Sequence, residues 1–156
     1  MLLQDETETG FTLIELVTVI VLLAILSVVA LPRLGGMNVF EEKAYFDEVT
    51  NAFRYAQKLA QSTGCNVQVT TTSTSYQLQQ GASCTSSTFD RNVLNPADRT
   101  SAFQNTSPPD GITLSPNSVI VFTPQSTVTG LPGNTSFSAG IYSFTLYINT
   151  GLIDVN

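Results

Sequence analysis

An α+β fold is predicted by three features of the sequence. The stretch from Phe11 to Leu31 is apolar and carries a single charge, Glu15. Beyond it, apolar residues return at helical spacing from Val39 to Ala60. From Asn66 onward the spacing changes to two, the period of a half-buried strand. The order is therefore a long N-terminal helix followed by antiparallel sheet, with the helix's second half packed on that sheet.

The first element spans 21 positions, Phe11 to Leu31. At ~1.5 Å per residue such a helix is roughly 31 Å long, matching the hydrocarbon core of a bilayer. A carboxylate within it costs a few kcal/mol on insertion scales, so Glu15 needs a function. An ordinary signal anchor leaves Glu15 unexplained. A cleavable secretory signal fits poorly, because its apolar region is shorter and ends in small residues. Here the run ends Leu31-Pro32-Arg33, and the small residue, Gly10, precedes it.

Pro32 removes a backbone donor and predicts a kink, and Gly35-Gly36 loosens the same segment. Val39, Phe40, Phe46, Val49, Phe53, Ala56, Leu59 and Ala60 then mark one buried face of an amphipathic helix. Gly64 stands where that helix should stop. The whole of Phe11 to about Thr63 reads as one long, bent helix.

Val67 and Val69, then Tyr76 and Leu78, alternate with polar neighbours across a Thr/Ser turn and predict a β-hairpin. Gly81 to Gly111 holds Cys84, Pro96, Pro108 and Pro109 and reads as a long irregular loop, with at most one short strand near Val93. Strands are expected again at Ile112–Leu114, Val119–Phe122 and, more weakly, Thr127–Val128. Ile141–Ile148 and Leu152–Val155 flank Asn149-Thr150-Gly151, a turn for a closing hairpin.

Composition excludes several functions. The 156 residues suffice for this helix and one small globular domain. There is no His and no Trp, so zinc sites of His and Cys, His-based triads and His general bases are ruled out. Two Cys cannot hold an iron–sulfur cluster. Net charge is −6, and without the three acids of residues 1–10 it is −3, six cations against nine acids. No basic block supports phosphate binding, and no Lys or Arg follows Arg99, so nucleic acid is not an expected partner.

The run Gly10-Phe11-Thr12-Leu13-Ile14-Glu15-Leu16, with Pro32 near the end of the apolar stretch, resembles the type IV prepilin family, which includes the pseudopilins of type II secretion. The resemblance implies a pilin-like fold. It implies a leader at 1–10, a transmembrane and assembly helix at 11–35, and a periplasmic globular domain at 36–156. A membrane prepilin peptidase would cut between Gly10 and Phe11 and methylate the new Phe11 amine. Before assembly the chain would be a single-pass protein of the bacterial inner membrane, in contact with lipid. Assembly at an inner-membrane platform would then bring it into a pilus or pseudopilus among sister subunits. Glu15 of one subunit would neutralise the Phe11 ammonium of a neighbour, each charge being costly alone in low dielectric. Such a pair fixes the stagger between helices as a buried polar residue fixes register in a coiled coil. The leader departs from the family pattern: it has no Lys or Arg before Gly10 and holds Asp5, Glu6 and Glu8.

Ala52-Phe53-Arg54-Tyr55-Ala56-Gln57-Lys58-Leu59-Ala60, Val67-Gln68-Val69, Phe122-Thr123-Pro124-Gln125 and the closing Phe144 to Gly151 are similar to minor pilins and pseudopilins of the GspH/FimT type. The pattern around Pro32-Arg33 is also similar to minor pilins of mannose-sensitive haemagglutinin pili. The expected function is that of a minor type IV pilin that joins or primes a pilus, with no enzymatic activity and no cofactor. The alternatives are a minor pseudopilin of type II secretion and, from another class, a membrane-tethered adhesin or DNA-binding module. In an exported domain Cys65 and Cys84 can form a disulfide, the other reading being two buried free thiols.

The remaining titratable residues suggest no chemistry. Glu41, Glu42, Asp47 and Glu48 read as a solvated helix face, with Glu42 and Glu48 also suited to pairing with basic residues of neighbouring subunits. Only Asp110 and Asp154 fall in the C-terminal third, too few for a calcium site. Asp90, Arg91, Asp98 and Arg99 lie in the long loop with no pocket or spacing that argues for catalysis.

Overall fold

Among the described residues two helices lead and ten strands follow. The structure, a computed structural model, describes residues 11–30 and 37–156. The chain divides into two units, Met1–Met37 and Asn38–Asn156. The first contains helix α1 (Leu13–Ala30). The second contains all but the first residue of helix α2 (Met37–Thr63) and every strand. The expected kink at Pro32, and with it the continuity of one helix from Phe11 to Thr63, lies outside the described residues.

α2 forms because its apolar residues repeat at three and four, and from Tyr45 onward it buries one face. Tyr45, Phe46, Val49, Ala52, Phe53, Ala56 and Ala60 are all in the core. The expected face is thus correct from Phe46 onward but not at its start. Val39 is 51% and Phe40 78% exposed, because nothing in this unit covers the first turns of the helix. The buried Thr50 hydroxyl donates to Phe46 O at 2.9 Å, satisfying itself on the helix's own backbone. Gly64 ends α2 as expected. Its φ of 69° is the left-handed conformation in which a Cβ is costly, and its N–H still donates to Ala60 O.

The first sheet has six strands: β1 (Val67–Thr72), β2 (Ser75–Gln80), β3 (Arg91–Asn92), β4 (Gln104–Asn105), β6 (Ser118–Phe122) and β7 (Val128–Thr129). Their order is β3-β2-β1-β6-β7, with β4 also paired to β2. The expected hairpin is β1–β2, in register Val69↔Leu78. Val67, Val69, Tyr76, Leu78, Ile120 and Phe122 point inward at alternate positions. The second sheet contains β5 (Leu114–Ser115), β8 (Thr135–Ala139), β9 (Tyr142–Leu146) and β10 (Ile153–Val155), in order β10-β9-β8-β5. Every pairing is antiparallel. Where the sequence suggests a single sheet, two share the helix.

The long loop is more ordered than its composition predicts. β3 and β4 both add to β2, and Leu94 bridges Ala102 between them. Val93 and Phe103 are buried, so the segment is held by two apolar anchors as well as by backbone pairing. β8 was not expected at all, because Thr135-Ser136-Phe137-Ser138-Ala139 offers only two apolar residues; both face the core.

Phe53 is the centre of the core. Its ring lies 6.2 Å from Phe122 of the first sheet and 5.1 and 5.0 Å from Phe137 and Phe144 of the second. Polar contacts add specificity. Tyr76 Oη donates to Glu48 Oε1 at 2.6 Å, and Asn105 Nδ2 donates to both Glu48 oxygens, tying α2 to β2 and β4. The Glu42 carboxylate accepts the Ile141 N–H at the β8–β9 turn. Gly140 in that turn has φ 62°, a conformation that favours glycine, and a Cβ there would displace the Glu42 side chain.

Two predictions follow from this core. Phe53→Ala should lower unfolding stability by about 3–5 kcal/mol, since it opens a cavity between two sheets at once; urea denaturation followed by circular dichroism measures it. Burial, the hydrogen bond to Glu48 and the charge of Glu48 push the Tyr76 phenol well above its ordinary range. The unfolded chain releases that proton near about pH 10 while the folded chain keeps it. This contribution is therefore complete below about pH 10 and is lost as pH rises beyond it. A stability–pH profile should fall on its alkaline limb, less steeply in Tyr76→Phe.

Candidate functional site

α1 is apolar around its entire circumference. Phe11, at 83% exposure, and then Leu13, Ile14, Leu16, Val17 and their successors through Leu26 are all exposed. A helix of this kind is stable only when something covers it, whether protein or lipid. Its 18 described residues rise about 27 Å. Among the described residues no helix is long and apolar enough to cross a membrane. Leu31, the last residue of the expected crossing segment, lies outside them.

Thr12 determines where α1 begins. Its hydroxyl accepts the Glu15 N–H at 3.3 Å, and its carbonyl accepts the N–H groups of Glu15 and Leu16 at 3.1 and 3.2 Å. Thr12 is the N-cap and Glu15 the third helical residue, the Thr-x-x-Glu arrangement of a capping box. That spacing is present in the sequence, inside the apolar run itself. It gives Glu15 a local role: a carboxylate in the first turn is favoured by the helix dipole, by about 0.3–1 kcal/mol at an exposed site. The carboxylate makes no hydrogen bond or ion pair among the described residues. So Phe11 and Glu15 stand together at one helix end, and Gly10 and Pro32 lie outside the description.

Cys65 and Cys84 form a disulfide, with Cα atoms 4.4 Å apart. Cys65 follows the Gly64 stop of α2, and Cys84 follows β2. The bond therefore closes the open end of the β1–β2 hairpin beyond the Val67↔Gln80 pair.

The acidic residues of α2 divide into two sets. Glu41 and Asp47 are exposed, Asp47 in a 2.6 Å ion pair with Lys43. Glu42 and Glu48 turn to the sheets, which corrects the expectation that all four form a solvated face. Asp98 closes a turn of the long loop, accepting from Ser101 Oγ, Thr100 N and Ser101 N. Those hydrogen bonds, the Ser101 hydroxyl's first, hold its carboxyl below the usual range. Among the described residues no three His, Cys, Asp or Glu side chains are grouped to hold a metal. Two clefts indent the second unit. One, of about 270 Å³, includes Tyr55, Leu59 and Arg91. The other, of about 240 Å³, includes Glu41, Tyr45 and Glu48. Both are below the usual size of small-molecule pockets.

The chain matches no protein-family model and no curated protein. Its fold is similar to the crystal structure of the type IV minor pilin FimU of Pseudomonas aeruginosa strain PAO1, with a TM-score of 0.55 and 12% identity over 76% of this chain and 90% of that one. At this identity the likeness is one of fold, and the fold is pilin-like.

Replacing both cysteines, Cys65→Ser with Cys84→Ser, should cost about 3 kcal/mol by the chain-entropy account of a loop this long. The aromatic core does not include either residue, so native circular dichroism should persist below a lowered urea midpoint.

Proposed function

We propose that this chain is a minor type IV pilin of the GspH/FimT type, a structural subunit held in the bacterial inner membrane and then incorporated into a pilus through α1. One observation carries the reading: a helix apolar on every side, with one carboxylate in its first turn, heads a chain whose fold is pilin-like. Sister helices can cover such a surface. Prepilin peptidase cleaves between Gly10 and Phe11 and methylates Phe11, leaving the cationic amine just before the Thr12 cap. Glu15 then sits in the first turn of the same helix, where its carboxylate can meet the Phe11 amine of a neighbour. An unpaired charge in that apolar layer costs about 3–5 kcal/mol relative to the pair. Lipid and the assembly platform are partners before incorporation, other pilin subunits after it.

Intact mass and N-terminal sequencing of the protein from its native host test the processing. The expected chain begins at Phe11 and carries one added methyl; a chain retaining residues 1–10 overturns the reading. Glu15→Ala should remain in the membrane fraction while its level in sheared pili falls more than about tenfold. Unchanged incorporation would remove the assembly role from Glu15.

A further inference from the structure

The second cleft contains a group that the fold leaves unsatisfied. Glu41, Tyr45 and Glu48 stand at i, i+4 and i+7 on α2 and share one side of the helix. Asn105 of β4 forms the opposite wall. Tyr45 is 2% exposed, and its hydroxyl makes no hydrogen bond among the described residues. Buried hydroxyls are ordinarily paired, because desolvating one without a partner is costly. The neighbouring Tyr76 shows the ordinary outcome: its hydroxyl donates to Glu48. Glu48 also accepts from Asn105, and its negative charge, added to burial, pushes the Tyr45 phenol up. Glu41 is exposed at the cleft's rim and has no ion pair among the described residues. A buried, unpaired phenol, a half-buried carboxylate and an exposed carboxylate thus belong to residues that line one small opening.

We propose that this notch receives the cationic head of a lysine or arginine side chain from a partner protein chain. An ammonium or guanidinium brings several N–H donors and no acceptor, the complement of two carboxylates and an unpaired phenol oxygen. A metal ion is a poorer occupant, since among the described residues no set of three ligating side chains is present. The size of the opening suits a side-chain head rather than a whole ligand. The site lies within the second unit and does not depend on the pilin reading. It gives the globular unit its own means of choosing a neighbour.

The test uses the full chain in detergent micelles, with its five tyrosines carrying ¹³C for NMR. Nα-acetyl-arginine amide and Nα-acetyl-lysine amide serve as probes, with Nα-acetyl-glutamine amide as the neutral control. Saturable shifts of the Tyr45 and Tyr76 signals with the cationic probes alone are expected. Glu41→Gln, which alters no contact within the fold, should weaken the response several-fold. Tyr45→Phe should weaken it too, while leaving the urea midpoint unchanged or raised, because the deleted hydroxyl has no partner in the free protein. Movement of the same signals with protein concentration alone, abolished in Glu41→Gln, supports the proposal and makes a second copy of the chain the donor. Absence of saturation overturns it, as does an equal response to the glutamine control or to magnesium ion. A clear loss of stability in Tyr45→Phe also overturns it, since that would assign the hydroxyl to a bound water.

Discussion

One helical face has to satisfy two separate sheets. α2 presents Phe46, Val49, Phe53, Ala56 and Ala60 in a single stripe, and the rings of Phe122, Phe137 and Phe144 approach Phe53 from different sheets. Neither sheet would be stable alone: each has one apolar face, and three strands of the first and two of the second have only two or three residues. The small residues Ala52, Ala56 and Ala60 let the helix approach closely, and the aromatic residues fill the space between. The remaining specific contacts depend on that placement. Glu48 meets Tyr76 and Asn105, and Glu42 meets the β8–β9 turn, only because α2 is already seated.

The two helices solve opposite problems. α2 is amphipathic, and its own unit covers its apolar face from Tyr45 onward. α1 is apolar on every side and is incomplete by construction. Thr12 sets its first residue by a local hydrogen bond, so the position of Glu15 relative to the helix start needs no tertiary contact. The start of α1 and the place of Glu15 in its first turn are thus encoded in four consecutive residues, Thr12 to Glu15.

Periodicity made most of this architecture legible. Helical spacing in α2, the Gly64 stop, the β1–β2 hairpin, β6, β9 and β10 were all readable, because each buries a face at its own repeat. β3 and β4 were not, since a two-residue strand has no period; the adjoining Val93 and Phe103, buried in the core, hold them in place. β8 hid behind its serines and threonine. At the helix end, the Thr12–Glu15 spacing is a local signal embedded in an apolar run whose own pattern is far stronger. The Tyr45 notch was beyond reach: Tyr45 looks like one more core aromatic until Asn105, 57 residues beyond Glu48, closes the opposite wall.

The short strands carry one more consequence. Among the described residues each sheet ends in strands of two or three residues: β3, β4 and β7 in the first, β5 and β10 in the second. A long, flat border would offer a template for adding strands from another molecule, the route to amyloid-like aggregation. These borders are too short for that. The globular unit therefore offers little template for the edge-to-edge addition of strands from another molecule.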